Sequence, residues 1–417
     1  MVASSLLPQE LIDICIDFLH SDIESLTSCS LVCWNWVPAA RFHLFSFVEL
    51  FESISGAINR RHCRYPSNVL PFIELLASPH NTIAPYIHGA SLKLRVRKDR
   101  DAPGMLIDAL SNAGVKLTKL ITTTNRQNIA FLLKFPKFNP YITDLTVDIS
   151  RAWSDEYTRI NEGLVFAMSF PLLHTLSIDA SFELEEAQQS FSIYPPDNRW
   201  CYLETLSLHL QDSEMVFEWF LKIGWEARLR TLRLRVYRCE HGGCGPVTHL
   251  NAFLMDICNT LEDFMMYVDG RYRWGMPQRV LSPNPNFGHL DFSNLSKLHS
   301  LQLNLHDVDT ICDSLESLHH SARMKSIVIN VFPWTNQALF DTQVSCRKDE
   351  MWPRLGRILT ATQFSGIARL DVSVPSSYGE EGLALVERSL APAQTALRCV
   401  SGVFVSTIGV GYPFNYL

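Results

Sequence analysis

LRTLRLRV, residues 229–236, is the stretch on which the reading of this chain turns. Side chains alternate along an extended strand. Leu232, Leu234 and Val236 therefore share one face, and Thr231, Arg233 and Arg235 the other. Nine further stretches follow the same Leu-x-x-Leu-x-Leu pattern, with Ile, Met, Val or Phe replacing some leucines. In order they are SLKLRV (91–96), LTKLIT (117–122), ITDLTVDI (142–149), LHTLSI (173–178), LETLSLHL (203–210), LEDFMMYV (261–268), LHSLQLNL (298–305), MKSIVINV (324–331) and IARLDVSV (367–374). Their anchors, Leu92, Leu120, Leu145, Leu176, Leu206, Leu232, Phe264, Leu301, Ile327 and Leu370, recur every 25–43 residues with a mean near 31. Such self-similarity marks stacked repeats, because one strand and one helix cannot bury their own apolar faces.

Apolar residues at helical spacing follow the strands, as in MVFEWFLKIG (215–224) and LNAFLMDICNTL (250–261). The expected fold is α/β, with parallel strands on a concave side and helices outside. The pattern resembles leucine-rich repeats in an irregular form, since the Asn or Cys that usually turns the chain after the strand is mostly missing. Strand–helix alternation also suits a doubly wound sheet, which stays open as an alternative.

Alternation along each strand names the outward residues. They are Ser91, Lys93 and Arg95, then Asp144, Thr146 and Asp148, then Ser177 and Asp179, then Ser207 and His209. Thr231, Arg233 and Arg235 follow, with Tyr267, and then Gln302, Asn304 and His306. Within this face of mixed sign, Lys93, Arg95, His209, Arg233, Arg235 and Tyr267 are the candidate target-binding residues. His209 and either Asp263 or Tyr267 are expected beside the two arginines, because parallel strands neighbour each other at about 4.8 Å.

The totals fit a chain that works on proteins. A net charge of −7 over 417 residues argues against a nucleic-acid binder. The start, MVASSLLPQELIDICIDFL, lacks the basic region of a signal peptide, and no run of 18 apolar residues occurs, so an intracellular chain without membrane contact is expected. Eleven cysteines occur without a CxxC pair and read as small buried hydrophobes. No phosphate loop, HExxH or GxSxG motif is present, so no catalytic residue and no cofactor is expected. Cys239, His241 and Cys244, with His249 or Cys258, could supply zinc ligands. Their spacing departs from the usual zinc pairs, and the glycines among them suit a turn, so the cluster is expected to hold no metal.

The first fifty residues read as three short helices. Leu11, Ile14, Cys15, Phe18 and Leu19 form an apolar stripe, and Ser21–Glu24 fits a capping box that opens a second helix. Cys29, Val32, Cys33 and Trp36 step along one helical face until Pro38 interrupts it. Ile12, Ile16, Leu31 and Trp34 add apolar residues on other faces. Three helices in about forty residues bury too little on their own, so a second chain or the following domain is expected to complete the core.

LPQELIDICIDFLHSDIESLTSCSLVCWNWVPAARFHLF resembles an F-box, through Leu7, Pro8, Glu10, Leu11, Ile14, Leu19, Asp22, Leu26, Leu31, Val32, Cys33, Trp36, Leu44 and Phe45. Trp34 stands where that family usually has Arg or Lys, and Ile23 where it has Leu. With the LASPHNTIAPYIHGASLKL lead-in, the chain is similar to F-box proteins that mushroom-forming (basidiomycete) fungi carry in large numbers. The resemblance implies binding to a Skp-family adaptor and, through it, to a cullin-RING ubiquitin ligase. It also implies that Leu7, Pro8, Leu11, Ile14, Leu31, Val32 and Trp36 face or support that adaptor. The expected organisation is an F-box over 1–46, a helical connector over 47–85 and a repeat domain over 86–417. That makes the chain a non-catalytic substrate-recognition subunit. The alternative is a repeat scaffold whose helices only cap the solenoid.

Overall fold

The computed structural model describes residues 8–51, 68–93, 102–123, 132–149, 160–180, 201–210, 214–223, 228–237, 247–269, 289–305, 308–319, 322–331, 348–375, 379–397 and 403–408. Three helices lead: α1 (Gln9–Asp17), α2 (Ile23–Val32) and α3 (Val37–Phe45). Twelve strands follow among the described residues: β1 (Phe47–Phe51), β2 (Gly89–Lys93), β3 (Lys119–Thr123), β4 (Asp144–Asp148), β5 (Thr175–Ala180), β6 (Thr205–Leu210), β7 (Thr231–Tyr237), β8 (Asp263–Asp269), β9 (Ser300–Leu305), β10 (Ser326–Val331), β11 (Arg369–Pro375) and β12 (Val403–Ile408). Strand order is chain order, and the pairings are parallel. Helices are interleaved with them: α4 (Val69–Ala77), α5 (Ala102–Asn112), α6 (Phe135–Phe138), α7 (Ile160–Met168), α8 (Glu214–Ile223), α9 (Thr248–Asp256), α10 (Val308–Glu316), α11 (Lys348–Leu359) and α12 (Gly379–Leu397). This is the expected α/β repeat and not a doubly wound sheet, whose strand order would reverse. All ten stretches read from the sequence are strands, β2 to β11.

Contacts divide the chain into two compact units, Met1–Leu176 and Ser177–Leu417. In both, one backbone device recurs between neighbouring strands. The carbonyl just before a strand accepts two N–H groups from the start of the following strand. Glu204 receives Arg230 and Thr231 at 2.8 and 2.9 Å, Arg230 receives Glu262 and Asp263, and Glu262 receives His299 and Ser300. In the first unit His88 receives Thr118 and Lys119 in the same way. These bonds satisfy backbone groups that would otherwise be stranded at the strand ends, which burial makes costly.

The anchors align because the register does. Leu206, Leu232, Phe264, Leu301, Ile327 and Leu370 lie opposite one another on consecutive strands, and all are buried. Helix side chains complete the core. Phe217 and Phe220 of α8 lie 5.1 and 5.5 Å from Phe253 of α9, ring centre to ring centre. Gly356 of α11 permits close helix packing, since a Cβ there would sit 2.0 Å from the Ser389 carbonyl oxygen of α12. Arg354 clamps α11 to α10 through Asp313 and Glu316, at 2.6 and 2.7 Å, and these hydrogen bonds raise its pKa further above the ordinary guanidinium value.

Several expectations give way. Phe47, Leu50 and Phe51 have helical spacing but form β1, which pairs with β2, so the connector begins as a strand of the sheet. A neighbouring edge with open hydrogen-bonding groups outweighs a spacing that two structures share. Further along the connector, α4 (Val69–Ala77) is helical. Helix α2 stops at Val32, Cys33 is extended (φ −161°, ψ 165°), and Pro38 lies in the first turn of α3, where its missing N–H costs nothing. Cys29, Val32, Cys33 and Trp36 therefore share no helical face. The cap of α2 is Asp22, not Ser21: its carboxylate accepts from the Ser25 amide at 3.1 Å and from the Ser25 hydroxyl at 2.7 Å. Cysteine is less buried than composition suggests, since Cys15, Cys33 and Cys201 are exposed while Cys29 and Cys312 are buried. Burial pushes the Cys312 thiol pKa up to about 12.

Candidate functional site

The three leading helices sort their apolar residues into two sets. Ile12, Ile16, Leu26, Cys29 and Ala40 form a small core, with Leu19, Trp36, Ala39 and Leu44 packed against it. Gln9 ties α1 to the turn before α3 by donating to the Asn35 carbonyl at 2.9 Å, and His43 of α3 meets Asp17 of α1 at 2.7 Å. The other set faces outward: Leu11 (48 % exposed), Ile14 (50 %), Phe18 (79 %), Leu31 (82 %), Val32 (61 %) and Trp34 (86 %). The stripe of Leu11, Ile14 and Phe18 is the exposed side, and Ile12 and Ile16 turn inward. Of the residues that the resemblance assigns to an adaptor, Pro8, Leu11, Ile14, Leu31 and Val32 are exposed, Trp36 supports the core, and Leu7 lies outside the described residues.

Several large apolar side chains exposed on so short a segment mark an interaction surface or an aggregation hazard. A shallow open groove of about 490 Å³ adjoins them, bordered by Asp13, Asp17, Trp34 and Phe42 among others.

The second feature lies in the unit Ser177–Leu417. Register places His209, Arg235, Tyr267, Asn304, Asn330, Ser373 and Ser406 opposite one another on the seven consecutive strands β6 to β12. They form one polar row across the sheet, held by its own bonds. The Arg235 guanidinium lies 5.0 Å from the centre of the Tyr267 ring. Asn304 donates to the Met266 carbonyl at 3.2 Å, Asn330 donates to the Asn304 side-chain oxygen, and the Ser373 and Ser406 hydroxyls meet at 2.8 Å. At its β6 end, His209 lies 3.5 Å from Asp179. One step earlier along the strands, Ser207, Arg233, Met265 and Gln302 form a parallel row.

The sequence named His209, Arg233, Arg235 and Tyr267, and register brings these four together. Tyr267, and not Asp263, is the residue opposite Arg235; Asp263 lies opposite Thr231 and turns to His299 at 3.8 Å. Arg233 is exposed and Arg235 half-buried. Asn330, Ser373 and Ser406 were not named, although the alternation in INV and DVSV could have found the first two. Ser91, Ser207 and Asn304 stand on the outward side as expected but are buried. Lys93 is exposed at the end of β2, in the other unit. Arg95, His306 and the Cys239–His241–Cys244 cluster lie outside the described residues. No group of three metal-ligating side chains occurs among the described residues, and none of their helices is long and apolar enough to cross a membrane.

No family model matches the chain, and no curated protein matches it. Among solved structures it is similar to the leucine-rich repeat-containing protein LegL7 from Legionella pneumophila, at 12 % identity and a TM-score of 0.39, over 89 % of this chain and 94 % of that one. On its own strand order and register, this chain is a leucine-rich-repeat-like α/β solenoid.

Proposed function

We propose that the chain is a substrate-recognition subunit of an SCF-type ubiquitin ligase. Residues 1–46 dock a Skp-family adaptor, which joins a cullin-RING ligase, and the repeat sheet holds a protein target. Repeat folds of this kind generally serve as protein-binding modules, and the chain itself catalyses nothing: it raises the local concentration of the target beside the ubiquitin-loaded enzyme.

One observation carries this reading. Leu11, Ile14, Leu31 and Val32, which the F-box resemblance assigns to an adaptor, are exposed, while a different set of residues makes the segment's own core. The test is capture by a purified Skp-family adaptor, with the double variant Leu31→Asp/Val32→Asp. Both side chains are exposed, so folding should hold within about half a kcal/mol. Two charges at a desolvated interface would reduce adaptor affinity at least 100-fold, because buried unpaired charges cost several kcal/mol. Undiminished capture of the double variant would overturn the assignment.

The capping alternative has its own support. The Ser46 carbonyl, directly after α3, accepts the His88 and Gly89 amides at 3.0 and 2.8 Å, so the helices run straight into the first strand pair. A folded wild-type chain that captures no adaptor would favour it.

A further inference from the structure

The polar row places two arginines where a protein ligand could use them. Arg233 and Arg235 are two residues apart on β7, so both guanidiniums rise from the same side of the sheet, their Cα atoms about 7 Å apart. The surroundings of Arg233 differ from those of another outward arginine. On β11 Arg369 is neutralised within its own strand: Asp371 lies 2.5 Å from its guanidinium, and that hydrogen bond raises the Arg369 pKa. On β7 the residue matching Asp371 along the row is Arg233 itself, and its neighbours across the strands are Ser207 and Met265.

Nearby carboxylates are turned to other groups. Asp263 meets His299 at 3.8 Å, Glu262 lies 3.7 Å from Arg230 and 3.6 Å from His299, and Asp179 lies 3.5 Å from His209. Among the described residues no carboxylate is paired with Arg233. An exposed guanidinium offers a planar fork of donors that fits a carboxylate or phosphate in two parallel hydrogen bonds. Arg235, laid over Tyr267, holds a fixed orientation beside it.

We infer that Arg233 and Arg235, with His209 and Tyr267, form a seat for an oxyanion carried on an extended peptide segment of the target. Asn304 and Asn330, next in the row, are buried and bonded to their neighbours, so the seat spans β6 to β8. Three strands at about 4.8 Å spacing give about 10 Å, which about three extended residues would span. The segment lies across the strands, with its phosphate or side-chain carboxylate over β7. This inference rests on the reading of the repeat sheet as a protein-binding face and is independent of the adaptor assignment.

The test uses the full chain and three pools of fluorescent decapeptides with degenerate flanks and a fixed central phosphoserine, glutamate or serine. The phosphoserine pool, the glutamate pool or both should bind at least 10-fold more tightly than the serine pool. Arg233→Glu/Arg235→Glu should lose that advantage. Arg233→Glu alone, at an exposed position, should lose at least 10-fold of it without changing thermal unfolding. A phosphoserine pool that outbinds glutamate by 10-fold identifies a phosphate ester as the ligand, and equal binding identifies acidic segments in general. The inference is overturned if the anionic pools bind no better than serine, or if Arg233→Glu binds them as the parent does. Adaptor capture measured on the same samples reports separately on the adaptor reading, so either can fail alone.

Discussion

The three leading helices and the repeat strands spend similar side chains in opposite ways. Along the strands every anchor from Leu206 to Leu370 is buried, and register stacks each on the next. In the three leading helices five core residues hold the segment together, while a larger number of big apolar groups face outward. A repeat closes its core with its own neighbours, so an outward apolar residue there would be wasted. A short helical segment has no such neighbour, and its outward apolar face is intelligible as a surface for another chain. The lesson is that total hydrophobicity does not distinguish a scaffold from a docking element. Its allocation does.

Two truncations test the contrast directly. Phe253→Ala removes a ring packed on Phe217 and Phe220 and should cost about 3–5 kcal/mol, read as a lower midpoint in urea. Trp34→Ser deletes a larger side chain, yet should change stability by about half a kcal/mol or less, because that ring is exposed. If the tryptophan variant is destabilised as much as the phenylalanine one, the outward set is structural and the contrast fails.

A smaller effect comes from pH. The Ser25 hydroxyl and amide bonds hold the Asp22 pKa below its ordinary value of 3.8. A depressed carboxylate contributes stability that is present above the unfolded-state pKa and lost as pH falls through the lower folded one. Asp22→Asn keeps a capping oxygen but not the charge. The difference in thermal midpoint between parent and variant, measured from pH 6 to pH 2, should therefore shrink below about pH 4. A constant difference would assign the cap to hydrogen bonding without charge.

Much of the repeat could be read because strand alternation is a local signal. LRTLRLRV specifies its own faces, and nine relatives do likewise. β1 escaped because Phe47, Leu50 and Phe51 satisfy helical spacing equally well, and only the β2 edge decides between the two. In the leading helices the sequence left the choice of inward face open. Leu11, Ile14 and Phe18 make a valid stripe, as do Ile12, Ile16 and Leu19, and only packing against Leu26 and Ala40 selects the second as core. The polar row was half legible. Each strand names its outward residues, but which of them meet across strands depends on register, and that is set by the backbone bonds between repeats. His209, Arg235 and Tyr267 were grouped by assuming aligned strands, and Asn330 and Ser373 were left out although the same assumption reaches them.

The paired backbone bonds between repeats also bear on how the chain assembles during synthesis. Nine such carbonyls among the described residues, Ser46 and Lys325 included, are satisfied by amides about one repeat further along. A ribosome adding about 5–20 residues per second delivers such a partner within a few seconds. Closing a loop of about thirty residues costs about 3 kcal/mol beyond a constant, and the same at each step. Growth is therefore a succession of equal, early closures, each made with a segment just released and none waiting for the far end of the chain. An emerging strand leaves its edge open for only the seconds that its successor needs to arrive.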